Sequence, residues 1–250
     1  SSYINFLYDS GKSRSRAEAA LFGLCMFLPR LKGLLHTSSL CIRGWARLHP
    51  SKPFPPLTWD LTCLIAVRLL LSGHRLAALG VLLGFHCLLR VNELVHLHRE
   101  DVADSRDPRV GGSALTRHMF LRLRHTKTGP NQWVSVEDPE LCSLLRGVIA
   151  STHPGSLLFP MSAASFRLRF KRACAQLSLS AACVPHSLRH GGATRLHLNG
   201  VPMEDILARG RWASSKSARR YIQAGRALLL AMDISAPVAF LANFASTYFP

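Results

Sequence analysis

The second half of the sequence holds side chains that could together act on a phosphodiester bond. His186 and Arg189 lie three residues apart, Trp212 follows, and Tyr221 comes nine residues after Trp212. An arginine fork binds phosphate oxygens, and a tyrosine phenol can attack phosphorus when a neighbouring base accepts its proton. The spacing His-x-x-Arg occurs twice in the chain, about as often as chance predicts. The order of the whole set is therefore the informative feature.

Residues upstream extend this set. Arg90 follows an apolar run at the predicted end of a helix, and Lys127 lies on a predicted β-hairpin. We expect Glu93 to orient Arg90 or His186 rather than to react, and His190 to support the site or to pack beside it. Structural roles also fit these residues: Arg90 could complement a helix dipole, Lys127 could be an ordinary turn residue, and the aromatic residues could belong to the core.

In this order the residues resemble those of the tyrosine recombinases, also called phage-type integrases. The run 88–94 is similar to the family's G-x-R-x-x-E-L motif, with Leu88 in place of the glycine. The run 186–190 is similar to the family's H-x-L-R-H box. The runs 186–194 and 209–214 are most similar to recombinases encoded by eukaryotic mobile elements of the DIRS and Ngaro type.

The resemblance implies that two arginines bind the scissile phosphate, in a reaction driven by positioning and charge stabilisation. Arg90 and Arg189 would each hold a non-bridging oxygen and neutralise the charge of the pentacoordinate state. Trp212 occupies the family's His-or-Trp position, where its indole N–H would donate to the phosphate.

The same resemblance implies the proton transfers. Tyr221 would attack phosphorus and hold the DNA as a 3′-phosphotyrosine. Because a free phenol has a pKa of about 10, it needs a proton acceptor, and His186 is the candidate. Lys127 would act as the general acid for the leaving 5′-oxygen. The phosphotyrosine keeps the bond energy, so we expect no ATP, no metal and no other cofactor.

The composition of the chain also favours DNA as its binding partner. The chain has 250 residues, with 31 Lys+Arg against 14 Asp+Glu and a net charge of +17. Arginine accounts for 25 of the basic residues, and the guanidinium group fits phosphate oxygens better than an ammonium does. Double-stranded DNA is therefore the predicted partner, rather than a membrane or a small-molecule substrate. Basic residues outside the catalytic set that we predict to contact DNA are Arg122, Arg124, Arg167, Arg169, Lys171, Arg172, Arg211 and Lys216.

Other functional classes are disfavoured. The most apolar stretch, 61–89, is interrupted by Arg68, His74 and Arg75, so the sequence predicts no membrane-spanning helix. The seven cysteines occur singly, which favours reduced thiols over disulfides or a zinc site. Histidines and a cysteine near position 90 lack the spacing of zinc ligands, and we predict no metal. The start at Ser1, without an initiator Met, resembles the middle of a longer gene product.

The chain divides at a proline-rich segment. Four prolines within 49–56 disfavour helix and sheet, and we place a linker there. Residues 1–50 resemble part of a helical core-binding domain, and 51–235 form the predicted catalytic domain, with the resemblance covering about 57–225. The segment 236–250 is a predicted tail that docks onto a neighbouring protomer or packs within its own chain.

Apolar periodicity predicts the α+β class, with a mostly helical catalytic domain and a small antiparallel sheet or β-hairpin. The hairpin strands flank a predicted turn at 128–131. The predicted catalytic-domain helices span 57–71, 76–89, 139–150, 162–177, 186–199, 202–208 and 214–224.

These features predict a site-specific recombinase that serves the integration of a mobile element. Like its family, it would act as a homotetramer that brings two DNA duplexes together, and the eukaryotic resemblance implies a nuclear location. Two alternatives remain. A type IB topoisomerase shares the Arg, Lys, His and Tyr chemistry but relaxes supercoils as a monomer. A decayed remnant would bind DNA without cleaving it.

Overall fold

The computed structural model describes residues 1–50, 54–104 and 118–247, and the chain divides between residues 53 and 54 into two compact units. Parts of the predicted linker and of the predicted tail lie outside these residues.

The first unit is a small helical bundle. Its helices are α1 (Ser2–Asp9), α2 (Arg14–Phe27) and α3 (His36–Leu48). Apolar residues at helical spacing meet in one small core, which is built from Ile4, Leu7, Ala17, Leu21, Ile42 and Trp45. Sequence periodicity predicted two or three helices here.

The second unit contains the remaining helices. Local capping explains several of the boundaries, because the side chains of Thr58, Asp138 and Ser162 accept hydrogen bonds from backbone N–H groups in the first turns of α4, α7 and α8. The helices are α4 (Trp59–Leu71), α5 (Arg75–His86), α6 (Val91–Val95), α7 (Pro139–Ala150), α8 (Ala163–Gln176), α9 (Pro185–Leu198), α10 (Met203–Gly210), α11 (Ser215–Arg219), α12 (Ala224–Met232) and α13 (Ala236–Ser246).

An antiparallel sheet of β1 (Val102–Asp104), β2 (Met119–Thr126) and β3 (Gly129–Val136) accompanies these helices, in the order β1-β2-β3. The fold is α+β and mostly helical, as predicted. The turn position was wrong: Thr126 pairs with Gly129, so the turn is centred on residues 127 and 128 instead of 128–131. Strand β1 was missed because three residues are too few to show alternation.

The described part of the predicted tail, 236–247, packs within its own chain. Helix α13 lies against α4, and Ala242 and Ala245 are buried in the main core with Leu230 of α12. Among the described residues, no helix is long and apolar enough to cross a bilayer.

Close packing of α9 fixes the helix that carries most of the predicted site. A Cβ added at Gly191 would lie 1.9 Å from the Leu57 carbonyl oxygen, and one at Gly192 would lie 2.2 Å from that of Phe85. Only glycine lets the α9 backbone approach these carbonyls so closely. The two backbone segments that approach α9 are those at Leu57 and Phe85.

Candidate active site

Arg189 lies at the centre of the site and is fully buried. Its Nη1 and Nη2 donate to the carbonyl oxygens of Leu88 and Gly210. Its Cζ lies 4.6 Å from the ring centroid of Trp212 and 5.3 Å from that of Tyr221. Burial, together with neighbouring positive charge, lowers the pKa of Arg189. An anion in this site would relieve that repulsion.

The carbonyl that Arg189 contacts belongs to a residue with an unusual backbone. Leu88 has a φ of +51°, in the left-handed region that favours glycine. It occupies the glycine position of the motif that the run 88–94 resembles. The Leu88 side chain is buried among Ala193, Ile206 and Trp212, so packing holds the strained conformation.

Arg90 is held by a buried carboxylate. Arg90 precedes α6, and its backbone N–H donates to Glu93 Oε2 at 2.8 Å while its Nη1 lies 2.5 Å from Glu93 Oε1. The Glu93 side chain is 3% exposed. Burial raises the pKa of Glu93, but the Arg211 and Arg90 cations and the Arg90 hydrogen bonds outweigh burial and lower it. Glu93 therefore pairs with Arg90, one of its two expected partners.

The structure places Arg211, a predicted DNA contact, inside the site and not on an exposed surface. Arg211 ends α10 with a φ of +55°, and its side chain reaches into the site, where only 3% of it is exposed. Its Nη2 lies 2.9 Å from Glu93 Oε2 and 2.8 Å from the Leu88 carbonyl oxygen. A buried guanidinium that is already bonded in this way is not a surface contact for DNA.

Four rings pack together above Arg189. The Tyr221 ring stacks on His190 at 4.6 Å, and its centroid lies 5.3 Å from that of His186 and 4.7 Å from that of Trp212. Burial and the charges of Arg189 and Arg90 lower the pKa of His186 to about 4. Burial and the neighbouring His186 lower the pKa of His190 to about 4. Both imidazoles are therefore neutral near pH 7.

Gln223 fixes the tautomer of His190, and no motif in the sequence pointed to this residue. Its Nε2 donates to the Arg220 carbonyl oxygen at 2.8 Å, which sets the orientation of the amide. The same Nε2 lies 3.1 Å from His190 Nδ1, so Nδ1 accepts and the ring proton is on Nε2. Thr194, also missed, donates to the Tyr221 carbonyl oxygen at 3.2 Å. These bonds tie the segment that follows α11 to α9.

Lys127 is exposed at the tip of the β2–β3 hairpin. The neighbouring Thr128 hydroxyl donates to the Arg211 carbonyl oxygen at 3.3 Å. This bond attaches the hairpin tip to the segment that carries Trp212, but the structure does not bring Lys127 into the ring cluster.

Helix α8 extends the basic surface. Arg167 and Lys171 line a groove of about 460 Å³ together with Arg90 and His186. Its other lining residues are Phe54, Leu89, Val91, Asn92, Val184 and Pro185. Two predicted DNA-binding residues thus share a groove with two predicted catalytic ones.

The remaining predicted contacts are spread more widely. Arg172 and Lys216 are exposed, and Arg169 is half-buried. Arg122 and Arg124 both bond to the buried carboxylate of Asp101, at 2.9 and 2.8 Å. The pair therefore presents less positive charge than the sequence suggests.

Several donors in the site lack acceptors. Arg189 Nε, Arg211 Nε and Trp212 Nε1 are buried with no hydrogen-bond partner within residues 1–50, 54–104 and 118–247. Buried polar groups normally have partners, so these donors favour an anionic ligand. The same residue ranges contain no group of three or more His, Cys, Asp or Glu side chains that could hold a metal ion.

The fold and the arrangement of arginines, imidazoles and tyrosine define the tyrosine recombinase class of enzymes. The phage integrase family profile matches residues 71–227, so this chain belongs to the phage integrase family. Comparison with curated protein sequences finds no match.

Solved structures share the fold at low identity. The XerA recombinase is 16% identical with a TM-score of 0.54, over 81% of this chain and 66% of that one. A lambda integrase dimer bound to a COC′ core site is 17% identical with a TM-score of 0.60, and the match covers 90% of this chain and 63% of that one. The Tn1549 transposon integrase in complex with circular intermediate DNA is 15% identical with a TM-score of 0.62, and the match covers 91% of this chain and 82% of that one. The chain spans just under two thirds of the first two proteins.

Proposed function

We propose that this chain is the catalytic part of a site-specific DNA recombinase that works through a 3′-phosphotyrosine. The observation that carries the proposal is the position of Tyr221, whose ring lies over Arg189 and beside two neutral imidazoles. A nucleophile, a phosphate-binding cation and a proton acceptor are thereby brought together.

The chemical step balances without an added reactant. Tyr221 Oη forms a bond to phosphorus while the bond from phosphorus to the 5′-oxygen breaks. The phenol proton passes to neutral His186, and the leaving 5′-oxygen takes a proton from Lys127. The hydrogen bond from the Thr128 hydroxyl to the Arg211 carbonyl oxygen supports this role for Lys127, because the bond holds the tip of the hairpin beside the residue that precedes Trp212. A second 5′-hydroxyl then reverses the reaction.

Phosphate binding would tune the site. Burial lowers the pKa of His186 most, the charges of Arg189 and Arg90 lower it further, and a bound phosphodiester would offset the part that is due to the two arginines. The pKa of His186 should then be higher than in the free protein, although burial still lowers it, and the imidazole becomes a better base when substrate is present.

The proposed partner is double-stranded DNA, bound by a homotetramer that aligns two duplexes. The lambda and Tn1549 integrases, which share this fold, were solved on DNA. A role in the integration of a mobile element, and with it a nuclear location, rests on the resemblance of the runs 186–194 and 209–214.

A covalent-trapping experiment tests the proposal. The protein is incubated with a pool of nicked duplexes with randomised flanks, and SDS-stable adducts are separated on denaturing gels. An adduct with the wild type and with Tyr3→Phe, but not with Tyr221→Phe, is expected. Tyr3 is an exposed control tyrosine of the first unit.

Other outcomes contradict parts of the proposal. DNA binding without any adduct would identify a DNA-binding remnant. An adduct accompanied by relaxation of supercoiled plasmid, but without joining of strands between duplexes, would identify a type IB topoisomerase.

A further inference from the structure

Arg211 connects the two arginines that would bind the scissile phosphate. We propose that Arg211 is a positioning residue that fixes the separation of Arg90 and Arg189, an inference that rests on the proposed function. It acts through two shared acceptors, Glu93 and the Leu88 carbonyl.

The first shared acceptor leads to Arg90. Glu93 Oε1 lies 2.5 Å from Arg90 Nη1, and Glu93 Oε2 lies 2.9 Å from Arg211 Nη2. Without Arg211, the buried Glu93 charge would be left to Arg90 alone. Arg90 is the more exposed partner, with 23% of its side chain accessible, and the Arg90–Glu93 pair beside the groove would no longer be held in place by Arg211.

The second shared acceptor leads to Arg189. The Leu88 carbonyl oxygen accepts from Arg189 Nη1 and from Arg211 Nη2. The left-handed backbone at Leu88 directs this oxygen toward both guanidinium groups. Loss of Arg211 would remove one of the two donors that hold the carbonyl in place.

The shape of the guanidinium group is essential to this role. Beyond its two shared acceptors, Arg211 Nη1 donates to the Arg209 carbonyl oxygen at 2.9 Å and to that of Cys87 at 3.3 Å. Four acceptors are thus reached from one planar group. A lysine ammonium is a single point charge and cannot span them.

The test compares Arg211→Met and Arg211→Lys with Arg75→Met. Arg75 is an exposed arginine at the start of α5, while the site lies beyond the end of that helix. Each protein is assayed for single-turnover cleavage on two trapping substrates. One substrate carries an ordinary scissile phosphate, and the other carries an uncharged methylphosphonate at the same position. Thermal unfolding and DNA affinity are measured in parallel.

Both Arg211 variants should cleave the ordinary substrate about 100-fold more slowly than wild type, because the phosphate clamp is displaced. DNA affinity should change less than about threefold. On the methylphosphonate the deficit should shrink to about tenfold or less, since less charge has to be neutralised. Arg75→Met should match wild type throughout.

Three results would overturn the inference: unchanged cleavage by both Arg211 variants, an equal deficit on both substrates, or a loss of DNA affinity that accounts for the slower cleavage. If Arg211→Met does not fold, Arg211→Lys decides, because it keeps a positive charge beside Glu93. If the wild type cleaves neither of the two substrates, the proposed function itself is refuted.

Discussion

At the scale of single residues, the site depends on backbone geometry as much as on side-chain identity. The Leu88 carbonyl holds two buried arginines, and it is directed there by a left-handed backbone that leucine adopts at a cost of about 1–2 kcal/mol. Glycine would adopt the same backbone without strain, which explains its place in the motif that this run resembles. Here the buried leucine side chain contributes packing that offsets the strain.

This strain predicts a reversal of the usual order of two variants. Leu88→Gly should be more stable to urea than Leu88→Ala by about 1 kcal/mol, although glycine buries less surface. Both should be less stable than wild type because a buried leucine is lost. At Leu83, which is buried within α5, alanine should be the more stable replacement. If the alanine variant is the more stable one at Leu88 as well as at Leu83, the backbone at Leu88 is not strained.

The buried imidazoles predict a pH dependence of stability. The pKa values of His186 and His190 are lowered to about 4 in the folded chain, against about 6.5 when unfolded. Between pH 6.5 and pH 4 the unfolded chain binds protons that the folded chain does not. The free energy of unfolding should therefore fall as pH falls through this window, by at most about 1.4 kcal/mol per pH unit for each histidine.

Substitution separates this effect from general acid unfolding. Equilibrium unfolding of His190→Gln should show a shallower slope than wild type between pH 6.5 and pH 4, and a parallel profile between about pH 7.5 and pH 9. Identical slopes in the acid window would mean that His190 is not held neutral by burial.

At the scale of elements, the contact of α9 with the backbone at Leu57 and Phe85 determines where His186, Arg189 and His190 lie. The contact is between main chains, so no side-chain repacking can accommodate an added atom. The position of α9 is therefore as much a requirement for the site as the predicted catalytic side chains are.

Alanine substitutions test this contact. Gly191→Ala should lower the free energy of unfolding by about 3 kcal/mol or more, because the new Cβ would lie 1.9 Å from the Leu57 carbonyl oxygen. Gly147→Ala is the matched control in α7, where an added Cβ meets nothing within 4 Å. It should raise stability by up to about 1 kcal/mol in the same urea titration. Similar effects at both positions would contradict the close approach.

Elements with strong local signals could be predicted from the sequence. Helix α7 was predicted with its observed ends because Asp138 and Pro139 form a clear start. The turn after β2 was misplaced because Gly129 and Pro130 are typical turn residues, yet here they begin β3.

Long-range contacts within the site could not be predicted. Arg211 was predicted only as a basic residue that contacts DNA, and its burial depends on Glu93, which is more than 100 residues away. Gln223 was missed since its partner, His190, is brought to it only by the folding of α9 through α12. The predicted catalytic residues could be recognised in the sequence because only their types and their order along the chain are needed.

At the scale of the whole molecule, the net charge of +17 is concentrated in part along the groove that reaches the site. Binding to DNA should therefore release counterions and weaken steeply with salt. Helix α8 supplies two cations to this groove, beside Arg90 and His186.

Salt dependence measures the contribution of these cations. The slope of log affinity against log salt concentration should be smaller in magnitude by about two in the double variant Arg167→Gln, Lys171→Gln than in wild type. Arg75→Gln, which removes an exposed charge elsewhere, should leave the slope unchanged. An equal slope for all three proteins would place the DNA away from the α8 groove.

The measurement that tests the central claim most directly is identification of the residue that is joined to DNA. A trapped adduct is digested with nuclease and then trypsin, which cuts after Arg220 and Arg226 and releases the peptide 221–226. Mass spectrometry should find this peptide with a nucleotide phosphate on Tyr221. A nucleotide on any other residue, or its absence from all peptides of a cleaving protein, would contradict Tyr221 as the nucleophile.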